Sequence, residues 1–335
     1  MEHDIHTLAQ VGDFERLEAE LEKDASPERI EAQKIRGTPL HFAVINNKMK
    51  CLNLLISKGG NVNAQNCIGE TPLYIASMKG FLPLVKHLLY STDALSGINV
   101  PNNAGFTPLY GACFKGKIDT VAELIHAGAN IETDESQRKD DDHDDHDDLL
   151  MMVIFKGEVE IALMLINLLS ATTLHRKNSA GYTILHAAAF KGCVELCEAF
   201  IDKGVNIEER NNEGYTALHM ACYFDHLDVA KFLIDRGCNL LVKSYSVGNT
   251  PLHLTCAHTL DNVKDIIEAL LKAGVNPNVR NDYGDAPLHI ACMHGQIEGV
   301  TSLLRDSAAN VNELNDAGAS PMYLACISGY LDIMV

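Results

Sequence analysis

The chain has 335 residues, a formal net charge of −18 and an apolar fraction of 47%. So strong a negative balance argues against non-specific nucleic-acid binding and against docking on an anionic membrane, while the apolar fraction is enough for a large buried surface. The ten cysteines include no CxxC pair. That excludes a dense secreted disulfide framework and fits reduced thiols in the cytoplasm, with the nucleus equally compatible.

The N-terminus, Met1-Glu2-His3-Asp4, has no basic stretch followed by an apolar one, so it does not read as a secretory signal. The longest apolar stretch, near Leu149 to Phe155, is far short of the ~18 residues needed to span a bilayer. Residues 1–34 carry many charges and lack the motif that follows, the profile of a solvent-facing N-terminal cap. From Thr38 onward a Thr-Pro-Leu-His tetrapeptide recurs in near-identical form, starting at Thr38, Thr71, Thr107, Thr183, Thr216, Thr250, Ala286 and Ser320. Degenerate copies fit the same frame at His3 and Asp148, placed by Gly12 and Gly157 nine residues on. Successive starts are 35, 33, 36, 41, 35, 33, 34, 36 and 34 residues apart.

Each copy predicts the same unit. The Thr is an N-cap whose hydroxyl accepts a free N–H of the first turn. Pro follows where its missing N–H has no helical partner in any case. The Leu enters the core. A short first helix, such as Thr216 to about Phe224, leads to a turn marked elsewhere by Gly80, Gly192, Gly295 and Gly329. A second helix carries apolar residues at helical spacing (Val229, Phe232, Leu233) and ends at a glycine such as Gly237. A polar finger rich in Asn and Gly suits a tight hairpin. No unit buries its apolar face alone, so stability comes from stacking.

A period of about 33 residues with this signature resembles the ankyrin repeat, and the resemblance covers essentially the whole chain. It implies an all-α ankyrin-repeat solenoid of about ten helix-turn-helix units with β-hairpin fingers. The expected organisation is a degenerate capping repeat over 1–34, repeats over 35–132, an acidic insertion over 133–148, and repeats over 149–335 with the last one incomplete. The insertion holds nine acidic and two basic residues and is expected to be disordered and the first site of proteolysis. Asp140, Asp142 and Asp144 alternate as in a calcium loop, but Asp145 stands where that loop needs Gly and Met151 where it needs Glu. His143 and His146 with these Asp would hold a divalent ion only weakly.

Two recurrent residues read as structural. His41, His186, His219, His253 and His289 sit three residues after the cap position, where an imidazole can bridge adjacent hairpins. Cys113, Cys222, Cys256, Cys292 and Cys326 share a small, buried slot, with neighbours too far apart for a disulfide or a shared zinc ion. Cys197 falls on a core slot. No GxxxxGK, GxSxG, HExxH or kinase signature occurs, so the chain reads as no enzyme, with no catalytic residue, metal or cofactor.

The informative feature is a stripe. Seven and eight residues past each cap position the chain carries Met78/Lys79, Phe114/Lys115, Phe155/Lys156, Phe190/Lys191 and Tyr223/Phe224. These pairs are expected to face outward on the concave side of the stack as a basic, aromatic ridge, with aromatics as binding anchors and Lys as charge steering. The alternative is packing of the rings between neighbouring helices. The finger tips, with Ile68, Asn103, Asn212, Glu213, Asp282 and Tyr283, are a second candidate surface, and ordinary turn chemistry is the alternative there. The resemblance implies an adaptor or scaffold that takes a partner protein or peptide segment, of acidic and apolar character, over repeats three to seven. It implies no nucleic acid and no membrane insertion, and leaves the oligomeric state open. A second reading is a regulatory ankyrin region of a larger enzyme or ion channel cut at residue 335. A third is a metal-responsive hinge at the acidic insertion.

Overall fold

The computed structural model describes residues 4–90, 97–132, 149–259, 261–305 and 309–333. The insertion over 133–148 lies outside the described residues, as do the expectations attached to it. The chain divides into two compact units, Met1–Leu169 and Ser170–Val335.

The first unit holds five helix pairs. These are α1 (Ile5–Val11) with α2 (Phe14–Lys23), then, after the single-turn α3 (Pro27–Ile30), α4 (Pro39–Ile45) with α5 (Met49–Ser57). Next come α6 (Pro72–Lys79) with α7 (Leu82–Tyr90), α8 (Pro108–Phe114) with α9 (Ile118–His126), and α10 (Leu149–Lys156) with α11 (Val159–Ile166). First helices pack on first helices, α1 on α4, α4 on α6, α6 on α8 and α8 on α10, while second helices form a layer behind them.

The second unit opens on the single-turn α12 (Ala171–Leu174). It continues with α13 (Ile184–Lys191) and α14 (Val194–Asp202), α15 (Ala217–Tyr223) and α16 (Leu227–Asp235), α17 (Pro251–Thr255) and α18 (Val263–Lys272), and α19 (Pro287–Met293) and α20 (Ile297–Arg305). It closes with α21 (Pro321–Ser328) and a 3-10 turn, Leu331–Ile333. The same two layers recur, α13 through α21 in front and α14 through α20 behind. The chain is therefore all-α, with ten units in the frame that the repeated tetrapeptide sets.

Why the units stack is visible in two slots. The Leu two residues past the cap (Leu40, Leu73, Leu109, Leu150, Leu185, Leu218, Leu252, Leu288) is at most 3% exposed, and each such burial stabilises by about 1.5–3 kcal/mol. Five past the cap lies Ala in most copies (Ala43, Ala76, Ala112, Ala188, Ala221, Ala291), fully buried. A side chain that small lets neighbouring first helices approach closely.

The turn slot nine past the cap takes the left-handed conformation in nine of the ten units, at Gly12, Asn47, Gly80, Gly116, Gly157, Gly192, Asp225, Gly295 and Gly329. Asn47 and Asp225 are the two non-glycine residues with positive φ among those described, and both occupy this slot. Asn and Asp are the side chains that best tolerate that region. The unit at Thr250 differs. Its second helix starts at Val263, thirteen residues past the cap rather than the usual eleven. The longer turn is held from the preceding unit, where the Asp225 carboxylate accepts the Asn262 backbone N–H at 3.0 and 3.1 Å and its side-chain amide at 3.1 Å.

The fingers depart from the hairpin expectation. Among the described residues there is no β-strand, and the single isolated bridge joins Lys34 and Gly37. A finger is instead a turn wound around one Asn five residues before the cap. Asn211 Oδ1 accepts the N–H groups of Glu213 (3.0 Å) and Tyr215 (2.8 Å), and its own N–H donates to the Tyr215 carbonyl at 3.0 Å. Asn66, Asn102, Asn281 and Asn315 do the same. Each of these turns closes on its own Asn, and no β-ladder forms among the described residues.

Candidate functional site

The recurrent imidazoles are built into the frame. At His219, Nδ1 accepts the Thr216 N–H at 3.1 Å and lies 2.9 Å from the Thr216 hydroxyl. Since Nδ1 accepts, the ring proton is on Nε2, which donates to the Asn249 carbonyl one repeat on, at 3.3 Å. His41 reaches the Glu70 carbonyl (3.0 Å), His186 Tyr215 (2.8 Å), His253 Asp285 (3.0 Å) and His289 Ala319 (3.2 Å). Each of these acceptors is the residue just before the next cap, and His289 Nε2 also lies 3.1 Å from the Glu313 carbonyl. Burial pushes His186, His219 and His253 down to about 4 and lowers His41 as well, so those four rings are neutral struts. The sequence reading missed a sixth. His6, 3% exposed, donates from Nε2 to the Ala32 carbonyl at 2.7 Å. It stands three residues past the degenerate frame start His3, so the register alone could have found it. Its N-cap is Asp4 rather than His3.

None of the ten cysteines forms a disulfide. Cys113, Cys222, Cys256 and Cys292 are buried, and burial raises their thiols, Cys113 and Cys222 to about 12 and Cys292 to about 11. Such thiols are inert nucleophiles. Cys326 corrects the slot reading. It occupies the same position yet is exposed.

The stripe residues reach the surface in both units. In the first, Lys79, Phe114, Lys115 and Lys156 are exposed, and Met78 and Phe155 half-buried. Phe106, Tyr110 and Phe114 form a stack with centroids 4.2 and 6.4 Å apart. The ammonium groups of Lys156 and Lys115 lie 4.1 and 5.2 Å from the centre of the Phe114 ring, close enough for cation–π attraction. In the second unit Lys191, Tyr223 and Phe224 are exposed and Phe190 half-buried. Phe224 meets Phe190 (4.4 Å) and Tyr223 (4.8 Å) edge to face, and Tyr223 meets His258 at 4.6 Å. Each unit thus presents a clustered aromatic surface rather than scattered rings.

At the finger tips the named residues separate into two groups. Asn103, Asn212 and Asp282 are tied to the preceding finger. Their N–H groups donate to the carbonyls of Ile68, Ala180 and Val247, at 3.0 Å each. The side chains of Asn103 and Asn212 donate to Cys67 and Ser179 carbonyls, and Asp282 pairs with Lys243 at 3.2 Å. These three do structural work between fingers. Ile68 (54% exposed) and Tyr283 (60%) project freely, as does the exposed side chain of Glu213.

Among the described residues no cluster of three or more His, Cys, Asp or Glu side chains could hold a metal ion, and no helix is long and apolar enough to cross a membrane.

A stack of helix pairs joined by tied fingers, with the chemistry confined to surface side chains, defines a repeat-scaffold interaction protein. A family profile described as ankyrin repeats matches residues 5–99, 40–135, 149–244, 194–281 and 252–334. The chain belongs to the ankyrin-repeat family, whose repeats are generic protein-interaction modules on a non-catalytic fold. Similar curated proteins include the B-cell lymphoma 3 protein homolog of Mus musculus, 37% identical over 87 residues (26% of this chain, 19% of the relative). The E3 ubiquitin-protein ligase XB3 of Oryza sativa subsp. japonica is 35% identical over 88 residues (26% and 20%). The NF-kappa-B inhibitor alpha of Rattus norvegicus is 46% identical over 54 residues (16% and 16%). The match spans a fifth or less of the length of these relatives.

Proposed function

We propose that the chain is an adaptor or scaffold that binds a segment of a partner protein along its first-helix ridges, on the concave side of the stack. The observation that carries the reading is the clustered, exposed aromatic-and-lysine surface, Phe114 between Lys115 and Lys156 in one unit and Phe190, Tyr223 and Phe224 in the other. Rings of this kind anchor interfaces, and lysines on a chain of net charge −18 steer an acidic partner locally. Ten cysteines with no disulfide among them support a reducing compartment, the cytoplasm or nucleus. The partner set is protein or peptide, without nucleic acid.

The test compares partners captured by the wild-type chain with those captured by a variant carrying Phe114→Ala, Lys115→Glu, Phe155→Ala, Lys156→Glu, Phe190→Ala and Lys191→Glu, both confirmed as folded by circular dichroism. Loss of partners in the variant alone supports the ridge. An unchanged set refutes it and moves recognition to Ile68, Glu213 and Tyr283.

A second reading is favoured by the share of relatives covered. About four-fifths of the ligase relative lies outside the match, so this chain would serve as the regulatory or substrate-recruiting region of a larger protein. Its transcript read past Val335 decides between the two.

A further inference from the structure

Adjacent fingers are tied at their tips by a repeated rung. The N–H at the tip of one finger donates to a carbonyl of the finger before it, Asn103 to Ile68 (3.0 Å), Asn212 to Ala180 (3.0 Å), Tyr245 to Glu213 (2.8 Å), Asp282 to Val247 (3.0 Å) and Asp316 to Tyr283 (3.1 Å). The equivalent rung between the first two fingers, Cys67 N–H to the Ile35 carbonyl, is missing. The Cys67 thiol donates to that carbonyl instead, at 2.7 Å.

The first finger closes one residue tighter than the second. In the second finger Asn66 N–H closes on the Glu70 carbonyl, four residues on, at 3.0 Å. In the first, Lys34 N–H closes on Gly37, three residues on, at 3.0 Å, and Gly37 N–H returns to Lys34 at 2.8 Å. No Asn stands at its hub. The base of the pair is joined, Gln33 Nε2 to the Gln65 carbonyl at 3.2 Å, and only a thiol bridges the tips.

Between Lys34–Arg36 and Gln65–Cys67 lies an open groove of about 910 Å³, lined also by Phe42. It adjoins a second of about 420 Å³ floored by Ile45, Ile68, Ile75 and Met78. Ile35, at 85%, is the most exposed large apolar side chain described. The charges on the walls are Lys34, Arg36 and Lys79 against the single carboxylate of Glu70. Lys34 pairs with Asp4, and Glu70 accepts the Asn66 side-chain amide at 3.0 Å. Arg36 has no ion-pair partner among the described residues.

The geometry points to this notch as a docking site for an extended acidic peptide segment carrying one large apolar side chain. The inference rests on the reading of the chain as a binder of protein segments but places a site away from the Phe114 and Phe190 ridges. The apolar side chain fills the space between Ile35 and Ile68. A neighbouring carboxylate pairs with Arg36 and faces Lys79. A backbone carbonyl of the extended segment takes the Cys67 N–H that the short finger leaves without a backbone acceptor. Main-chain bonding gives affinity and the alternating side chains give selectivity, as in other strand-like recognition.

The experiment uses the full chain and a phage-displayed library of random dodecapeptides. The expected consensus sets Asp or Glu beside Leu, Ile, Met or Phe. Synthetic consensus peptide should lose about tenfold or more in affinity for Arg36→Glu and for Ile35→Ser, and keep its affinity for Phe114→Ala. Both substituted side chains are exposed, so folding is spared. A further variant with one asparagine inserted before Lys34 should rebuild the rung and abolish binding. Bound peptide should also slow alkylation of Cys67 by N-ethylmaleimide, read by mass spectrometry. Peptides that bind Arg36→Glu, Ile35→Ser and the insertion variant as well as wild type, but fail on Phe114→Ala, overturn the notch and leave the ridge standing. Recovery of no peptide above a non-binding control overturns both.

Discussion

A buried histidine is the residue on which most of this frame turns, and its chemistry predicts how the chain responds to acid. Protonation puts a hydrogen on Nδ1, where the N-cap N–H already points, so the strut loses a bond as it gains a buried charge. For His186, His219 and His253 the folded-state pKa is about 4, below the unfolded value of about 6.5. Their contribution is therefore complete above about pH 6.5 and is lost as the pH falls toward 4, at up to about 1.4 kcal/mol per pH unit for each ring. Urea midpoints at pH 7.5 and pH 5 should show a clear fall. His253→Gln should lose about 1–2 kcal/mol at pH 7.5 and flatten the slope, and an unchanged slope would contradict the account. Much of this was legible in the repeated tetrapeptide, which places His and cap three residues apart. His6 escaped because its repeat lacks the rest of the motif. The exposure of Cys326 escaped because burial belongs to the neighbouring unit and not to the slot.

The helix-to-helix turn shows the element scale at work through one slot with opposite outcomes. Asn47 and Asp225 both hold a left-handed turn that other units give to Gly. Asn47→Gly relieves mild strain and should leave stability unchanged or raise it by up to about 1 kcal/mol. Asp225→Gly relieves similar strain but strips the Asn262 N–H and amide of their acceptor, and should cost about 1–3 kcal/mol. Chemical denaturation of the two variants reads the difference in sign. Equal effects would show that the long turn before Val263 does not depend on the carboxylate. In the fingers, Gly69 has φ +79°, and a Cβ there would lie 2.5 Å from the Asn103 backbone nitrogen. Gly69→Ala should cost about 1–3 kcal/mol, loosening the rung to Ile68, with faster hydrogen exchange at the Asn103 amide as the check. The Gly and Asn of the fingers were visible as turn chemistry in the sequence. The rungs were not, because they join residues in different repeats, and the missing rung accompanies a finger that closes one residue tighter.

For the whole molecule, periodicity gave the unit and its count. Which exposed side chains act together was beyond the sequence, since Phe114 gathers Lys115 from its own helix and Lys156 from the next repeat. The stripe itself followed from register alone, whereas the bonds that tie the exposed tips Asn103, Asn212 and Asp282 to the fingers before them did not. Removing the lysine beside Phe114 has a modest expected effect on folding. Lys156→Ala should lose about 0.5–1 kcal/mol of an exposed cation–π contact, measurable as a small fall in the urea midpoint, while partner binding falls further. The central claim is that recognition lies on the first-helix ridges. Its most direct measurement places a photo-crosslinking benzoylphenylalanine in cells at Phe114 and Phe190, and at Asp119 and Glu195 on second helices. Partner crosslinks at the first two positions and none at the other two are predicted. Equal crosslinking at all four, or crosslinks confined to the second helices, would contradict the account.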